Sequence, residues 1–356
     1  MAFKAGWGGE MTRLDSALDA CPSVRRLALA APKALEKLVL AWNVGALSAT
    51  FHPLIELILG DNHRMRRHAL EASVRTLEQA GVDLHGFAAR VVTPDPKGFY
   101  DAASALTELY VGGRLALVGA AVRFIQRTQQ PTPDLEAKRN GSVLTMEVAS
   151  LNSSSDLVAK NNDLLDKFRS WRVGQPIPAE LRGQAFEHRA SGGSVRVLTY
   201  LDAPMGRGTP GQMAGRIAGK KDPGRQLGRW PNPVLVLSFW HKWGVSRRDC
   251  QPTYTEVDGS TSTGLLYAAS YGSKGDAILR CQEFEGDMVR ATPQSRDGVL
   301  KASRDLCALV WLFQEDAPVI WENTLPGATT LDTECRSLLL DALDLHGDQL
   351  SRLAAP

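Results

Sequence analysis

The feature that most limits what this chain can fold into is the dipeptide Asn140-Gly141. It sits between two β-like runs in PTPDLEAKRNGSVLTMEVASL, residues 131–151. Asn-Gly tolerates positive φ at both positions, so it closes a two-residue hairpin whose twist matches that of its strands. Before it, Leu135 and Ala137 alternate with Asp134, Glu136 and Lys138; after it, SVLTMEVAS is rich in strand formers. Two adjacent antiparallel strands follow. With a period of two, Asp134, Glu136 and Lys138 share one face, and Glu147 points away from its neighbours Met146 and Val148. An uneven loop or a bulge still leaves Glu147 near Asp134.

Around this hairpin the chain divides into three parts. Residues 1–95 read as a helical subdomain. PKALEKLVLAWNVGAL sets Leu35, Leu38, Val39 and Trp42 at helical spacing. HRMRRHALEASVRTLEQAG follows the capping pair Asp61-Asn62 and stops at Gly81. The turn residues of TPDPKG, 93–98, mark a boundary. In 96–245, FYDAASALTELYVGGRLALVGAAVRFIQ reads as a long helix open to a break at Gly112-Gly113, with Ala105, Glu108 and Leu109 on one face. Asp134–Arg139, SVLTMEVAS and SVRVLTYL (194–201) read as three strands, with a partly helical insertion at 151–190 after the second. TPGQMAGRIAGKKDPGRQLGRW reads as a crossover helix broken at Asp222-Pro223-Gly224, and PVLVLSFW as a buried strand. The order helix, strand, strand, strand, helix, strand indicates an α/β (α+β) core. Residues 246–356 form a C-terminal extension. SRDLCALVWLF and APVIWEN read there as two strands or a helix and a strand, and DTECRSLLLDALDLHGDQLSRL as a terminal amphipathic helix.

Composition narrows the class. A hydrophobic share of 44% with 22% charged residues supports a sizeable core. The net charge of +2 announces no nucleic-acid partner, so any basic surface must be local. Five cysteines without a CxxC pair match neither a zinc site nor a disulfide framework, and read as reduced intracellular thiols. No signal peptide or membrane span is legible, so a soluble, cytoplasmic protein is expected, with no membrane partner. GxGxxG and P-loop motifs are absent, and no serine has a nucleophile-elbow context. His188 reads as structural.

Spacing alone leaves the acids with two readings. The commoner is the solvated face of a hairpin, with Lys138 paired across the ladder. The other is a clustered, partly buried set containing Asp134, Glu147 and Glu108 from the preceding helix. Ionised carboxylates are costly to bury unpaired, and a divalent cation compensates them.

The order of Glu108 on a helix, then Pro133-Asp134, then Glu147 in an apolar strand resembles the PD-(D/E)XK nuclease superfamily, the restriction-endonuclease-like fold. The likeness spans roughly residues 97–240. It implies a metal-dependent nuclease acting on DNA by phosphodiester hydrolysis, with Asp134 and Glu147 holding Mg²⁺ (or Mn²⁺) and Glu108 assisting. The chain departs from the family where the lysine of the ExK motif would fall, because that position is Ala149. The alternative is therefore a catalytically inactive nuclease-fold module for binding or assembly, as in a defence or repair complex. If the site is active, its lysine comes from elsewhere: first Lys220 or Lys221 on the crossover helix, where Lys221 and Gln226 resemble a K…QL pattern, then Lys138 or Lys160.

Residues 206–229 carry Arg207, Arg216, Lys220, Lys221, Arg225 and Arg229 against one acid, Asp222. Arg207, Arg216, Arg225 and Arg229 are the candidate phosphate contacts, with glycines that let backbone approach a phosphate; a solvated helix with glycine-rich ends is the plainer reading. HRMRRH (63–68) is a second basic run, and Trp240 to Trp243 a candidate base-stacking patch. The N-terminal helices remain available to a protein partner.

Overall fold

The structure is a computed structural model. It describes residues 14–43, 52–60, 63–95, 98–126, 132–151, 164, 167, 170–172, 175–182, 185–190, 193–198, 210–219, 223–239, 246–255, 261–281, 289–313 and 317–345. The described residues begin with helices α1 (Leu14–Leu18), α2 (Pro22–Leu29), α3 (Pro32–Asn43), α4 (Pro53–Leu59), α5 (Arg64–Gln79) and α6 (His85–Val91). Three of them begin at a proline, whose missing N–H would have been unpaired there in any case. Side chains from elsewhere supply further caps. The Glu71 carboxylate accepts from the amides of Ser23 and Val24 at 3.0 Å. His52 Nδ1 accepts from Ile55 N, which leaves Nε2–H to donate to Thr93 O at 2.9 Å. Leu38, Leu54, Ile55, Leu70, Val74 and Leu77 fill the helical core.

Helix α7 (Phe99–Leu117) joins this layer to a sheet. Leu106 and Leu109 enter the helical core, whereas Val111 and Leu115 pack on the sheet. The helix runs through Gly112-Gly113 rather than breaking there. Gly113 faces the backbone of Ser73 on α5, where a side chain would not fit. The chain turns instead at Gly119 and enters β1 (Ala121–Phe124), which the sequence reading had placed inside the helix. Four residues are too few to display a period of their own.

Strands β2 (Leu135–Arg139) and β3 (Ser142–Ser150) form the hairpin. Arg139 pairs with Ser142 across Asn140 (φ 50°) and Gly141 (φ 85°), the two positive-φ positions that Asn-Gly supplies at little cost. Next come β4 (Ala185–Ala190) and β5 (Gly193–Leu198), helices α8 (Pro210–Ala218) and α9 (Pro223–Leu227), and β6 (Pro233–Ser238). Then follow β7 (Thr253–Thr255), β8 (Thr261–Thr263), α10 (Leu265–Tyr271), β9 (Ala277–Cys281), β10 (Val289–Pro293), α11 (Val299–Ala302), β11 (Ala308–Leu312), β12 (Val319–Glu322) and α12 (Thr333–Leu343).

The result is a mixed α/β structure around a six-stranded sheet of order β1-β2-β3-β6-β11-β12. β3, β6 and β11 run parallel, and the remaining neighbours pair antiparallel. The run at 194–201, read as the third core strand, stands outside this sheet. Among the described residues its described part, β5, pairs with β4 alone. The third strand of the meander is β1. The two segments read as strands or helix in the C-terminal third are β11 and β12, and α12 is the terminal helix.

The central strands β3, β6 and β11 are buried on both sides. Met146, Val148, Val234, Val236 and Val310 face α7 and α12. Ala149, Leu235, Leu237, Leu309 and Trp311 face α8, α9 and α10. Arg139 pins the hairpin to α12 through ion pairs to Glu334 and to Asp341, the latter at 2.7 Å. Cys21, Cys250, Cys307 and Cys335 are buried. Among the described residues no helix is long and apolar enough to cross a membrane.

Candidate functional site

The acids lie where β2 begins and β3 ends. Leu135 pairs with Met146, yet the Asp134 amide also donates to Met146 O, at 3.0 Å. Two successive residues thus answer to one on the partner strand, which is the count of a β-bulge. The bulge turns the Asp134 side chain across the neighbouring strand, where Oδ2 accepts from Val148 N at 2.8 Å. Asp134 is 5% exposed and Glu147 1%.

Glu147 alternates with Met146 and Val148 and therefore points to the face covered by the crossover helices. There Gln226 of α9 donates from Nε2 to Glu147 Oε1 at 3.0 Å. Thr145 and Glu136, paired across the ladder, share that face. Glu136 is buried and accepts from Arg123 of β1 at 2.6 Å. Two oxygens beside Glu147 are buried without a hydrogen-bond partner among the described residues: Thr145 Oγ1 and Gln226 Oε1.

Glu108 approaches from the other side. It lies on the stripe of α7 that carries Val111 and Leu115 onto the Met146/Val148 face, and it is 3% exposed. Neighbouring residues of α7 fix its height along the strands. Thr107 Oγ1 is 3.1 Å from Ser150 Oγ, and Ser104 Oγ accepts from Ser150 N at 3.4 Å. One turn further on, Gly112 meets Phe124 of β1, next to Ile125, whose amide donates to Asp134 O. Glu108 lies between these two contacts along the helix. There it receives a bidentate pair from Arg90 of α6, at 2.7 and 3.0 Å, and Arg90 also pairs with Asp101 at 2.9 Å. Burial acts against the Arg90 charge, but the bonds to Glu108 and Asp101 hold its pKa above the ordinary arginine value.

The expected convergence of three carboxylates is thus corrected. Glu147 and Glu108 attach to opposite faces of the sheet, and Glu108 is committed to an arginine. Among the described residues, no group of three or more His, Cys, Asp or Glu side chains is placed to hold a metal ion. Ala149 is 2% exposed and packs in the apolar cluster with Leu151 and Leu227, surroundings that would strip the water from a lysine amine.

Of the relocated cations, Lys138 is exposed on β2, opposite Ala121. Lys160, Lys220, Lys221 and Arg207 lie outside the described residues, as do Trp240 to Trp243 and the side chains of Arg225 and His188. Arg216 and Arg229 are exposed. Gly211 and Gly215 of the basic segment serve packing: side chains there would run into Pro293 O and the Ser295 side chain. The run at 63–68 is partly structural as well, since Arg67 donates to Ile58 O at 2.6 Å and His63 faces Glu56 at 3.3 Å. Arg90 was missed in the sequence. Its only signal is a single arginine inside the apolar stripe of Phe87, Ala88, Val91 and Val92.

No protein-family model matches the chain, and no curated protein and no solved structure shows significant similarity to it.

Proposed function

We propose that the chain is a nuclease-like protein that holds a divalent cation at Glu147 and Asp134 and brings it to a nucleic-acid phosphodiester, in a restriction-endonuclease-like core formed by α7, β1, β2, β3, the crossover helices and β6. The observation that carries this reading is the oxygen set around Glu147. Thr145 Oγ1 and Gln226 Oε1 are buried beside that carboxylate without a hydrogen-bond partner among the described residues. Leaving such groups unmet costs about 1–3 kcal/mol each. Hard oxygen donors with one or two carboxylates suit Mg²⁺ or Mn²⁺, which keep several waters and take phosphate oxygens. When bound, such an ion supplies Lewis acidity to the phosphodiester and to the water that attacks it. The chain's own residues do the rest. Gln226 orients Glu147. Arg216 and Arg229 offer exposed charge to the strand's phosphates, and Lys220 or Lys221 is the cation expected in place of the missing motif lysine.

Thermal melting with and without Mn²⁺ tests this, because a ligand that binds only the folded state must raise the midpoint. Wild type should rise at saturating Mn²⁺, and Asp134→Asn and Glu147→Gln should lose the rise. Both substitutions keep an oxygen to accept the Val148 or Gln226 hydrogen bond. An unchanged wild-type curve rejects the cation. Turnover is read separately, on labelled duplex and single-stranded DNA and on RNA.

A second reading keeps the fold and drops the hydrolysis. It is favoured by Ala149, sealed in apolar packing, and by the Arg90–Glu108 pair. Cation binding without cleavage of any of these nucleic acids selects it.

A further inference from the structure

We infer that the solvent face of α5 is a nucleic-acid contact surface, a line of basic side chains that meets the phosphates of a duplex backbone. The inference rests on the nucleic-acid part of the reading above and not on the cation. Helix α5 buries Leu70, Val74 and Leu77 in the helical core. At about 100° per residue, Arg64, His68 and Arg75 fall within about 40° of one another, on the side away from those three. All three are exposed, and among the described residues none of them has a hydrogen bond or an ion pair. Met65 beside them is 81% exposed, so no described segment covers the line.

The fold, rather than the helix's own sequence, leaves Arg75 unmatched. The acids of α5 are Glu71 and Glu78. Glu71 lies four residues before Arg75 and Glu78 three after it, the spacings at which an acid and an arginine pair on a helix. Both acids turn to α2 instead. Glu71 accepts from the amides of Ser23 and Val24 at 3.0 Å, and Glu78 accepts from Arg26 at 2.6 Å. Arg66 and Arg67 point elsewhere, toward His63 and Ile58 O. The outward line is therefore basic with no acid on it. From Arg64 to Arg75 the helix rises about 16 Å at 1.5 Å per residue, the length of about five base steps of duplex DNA at 3.4 Å. The planar fork of an arginine matches two phosphate oxygens, and the helix holds its backbone fixed. A lipid surface would need an apolar face beside the charges, and Met65 is the large apolar side chain that α5 exposes.

The test is the fluorescence anisotropy of a short labelled DNA duplex titrated with the full-length protein. EDTA is present, so neither metal binding nor cleavage enters, and the salt concentration is varied. Wild type is compared with Arg64→Gln combined with Arg75→Gln, and with Lys33→Gln combined with Lys37→Gln. The second pair removes the same charge from exposed positions on α3. Exposed helix positions tolerate glutamine, and circular dichroism checks that both pairs stay folded. The α5 pair should lower the slope of log K against log salt by about two and weaken all sequences alike, by about tenfold at low salt. Arg75→Gln alone should give about half that change in slope. The α3 pair should leave the slope as in wild type. A slope unchanged in the α5 pair overturns the inference. So does an equal fall in both pairs, which would show that only total charge counts. Binding of wild type to phosphatidylserine vesicles but not to the duplex overturns it in favour of a membrane. If Arg216→Ala and Arg229→Ala lower the slope and the α5 pair does not, the nucleic-acid reading stands without α5. If wild type binds no duplex at any salt, both fall together, whereas the Mn²⁺ melting test of Asp134 and Glu147 is untouched by either result.

Discussion

At the scale of single residues, the most informative groups are polar ones that join segments far apart in sequence. Asp332 is an example. Its Oδ1 caps α12 by accepting from Cys335 N at 2.7 Å, and its Oδ2 accepts from Asn232 at 2.9 Å, ahead of β6. Burial tends to raise its pKa, but the hydrogen bonds from Cys335, Asn232 and Ser142 bring it below the ordinary carboxylate value. A carboxylate depressed in the folded state adds stability above its unfolded pKa, about 3.9, and that stability is lost as the pH falls through the folded value. Asp332→Ala should therefore cost about 1 kcal/mol near neutral pH, the usual worth of such a cap. In urea titrations the gap to wild type should narrow below about pH 4. A gap that stays constant down to pH 2 would show that the carboxylate charge contributes nothing.

At the scale of elements, α8 shows how a sequence pattern can be right in position and wrong in purpose. Gly211 and Gly215 are one turn apart on a helix with basic neighbours, which reads as a surface for phosphate. In the fold they face the end of β10 and the residues that follow it. Gly211 N donates to Thr292 Oγ1 at 2.9 Å, and Gly211 O accepts from Ser295 N at 3.2 Å. A methyl group at Gly211 meets a backbone carbonyl, which can move only with its strand; at Gly215 it meets a serine hydroxyl, which can rotate away. Gly211→Ala should cost about 1–3 kcal/mol, as overpacking does. Gly215→Ala should cost clearly less, partly offset by the better helix propensity of alanine. Chemical denaturation of both variants checks the order, and equal costs would refute the packing assignment.

At the scale of the whole molecule, α7 unites the two halves, contributing Leu106 and Leu109 to the helical core and Val111 and Leu115 to the sheet. The same helix carries Glu108 between them, where Arg90 of the helical layer pairs with it. Charge is balanced overall, with 41 basic against 39 acidic side chains, so any attraction for nucleic acid would have to come from local groups. Removing one phosphate contact lowers the dependence of log K on log salt by about one. If Arg216 and Arg229 make such contacts, Arg216→Ala and Arg229→Ala should each reduce the slope by about that amount and weaken all DNA sequences alike. Slopes equal to wild type would remove the α8–α9 segment from the interface.

Local physics accounts for what was legible in the residues themselves. Asn140-Gly141 specifies a two-residue hairpin through its backbone preferences, and the hairpin is there in that register. The periodicity of α5, α7 and α12 and the apolar runs of β3 and β6 are visible because each element's own side chains must face a core. Where the interaction is not local, sequence is silent. Residues 121–124 become a strand because β2 lies beside them, and 194–198 pair with β4 rather than with the main sheet. The bulge at Asp134, the burial of Ala149 and the grip of Arg90 on Glu108, 18 residues away, belong to the same class. The chain by itself determined which acids are available and on which elements they ride. Only the tertiary structure decided which of them face one another and which are neutralised, because that depends on the packing of α6, α7 and α9 against the sheet rather than on any spacing along the backbone.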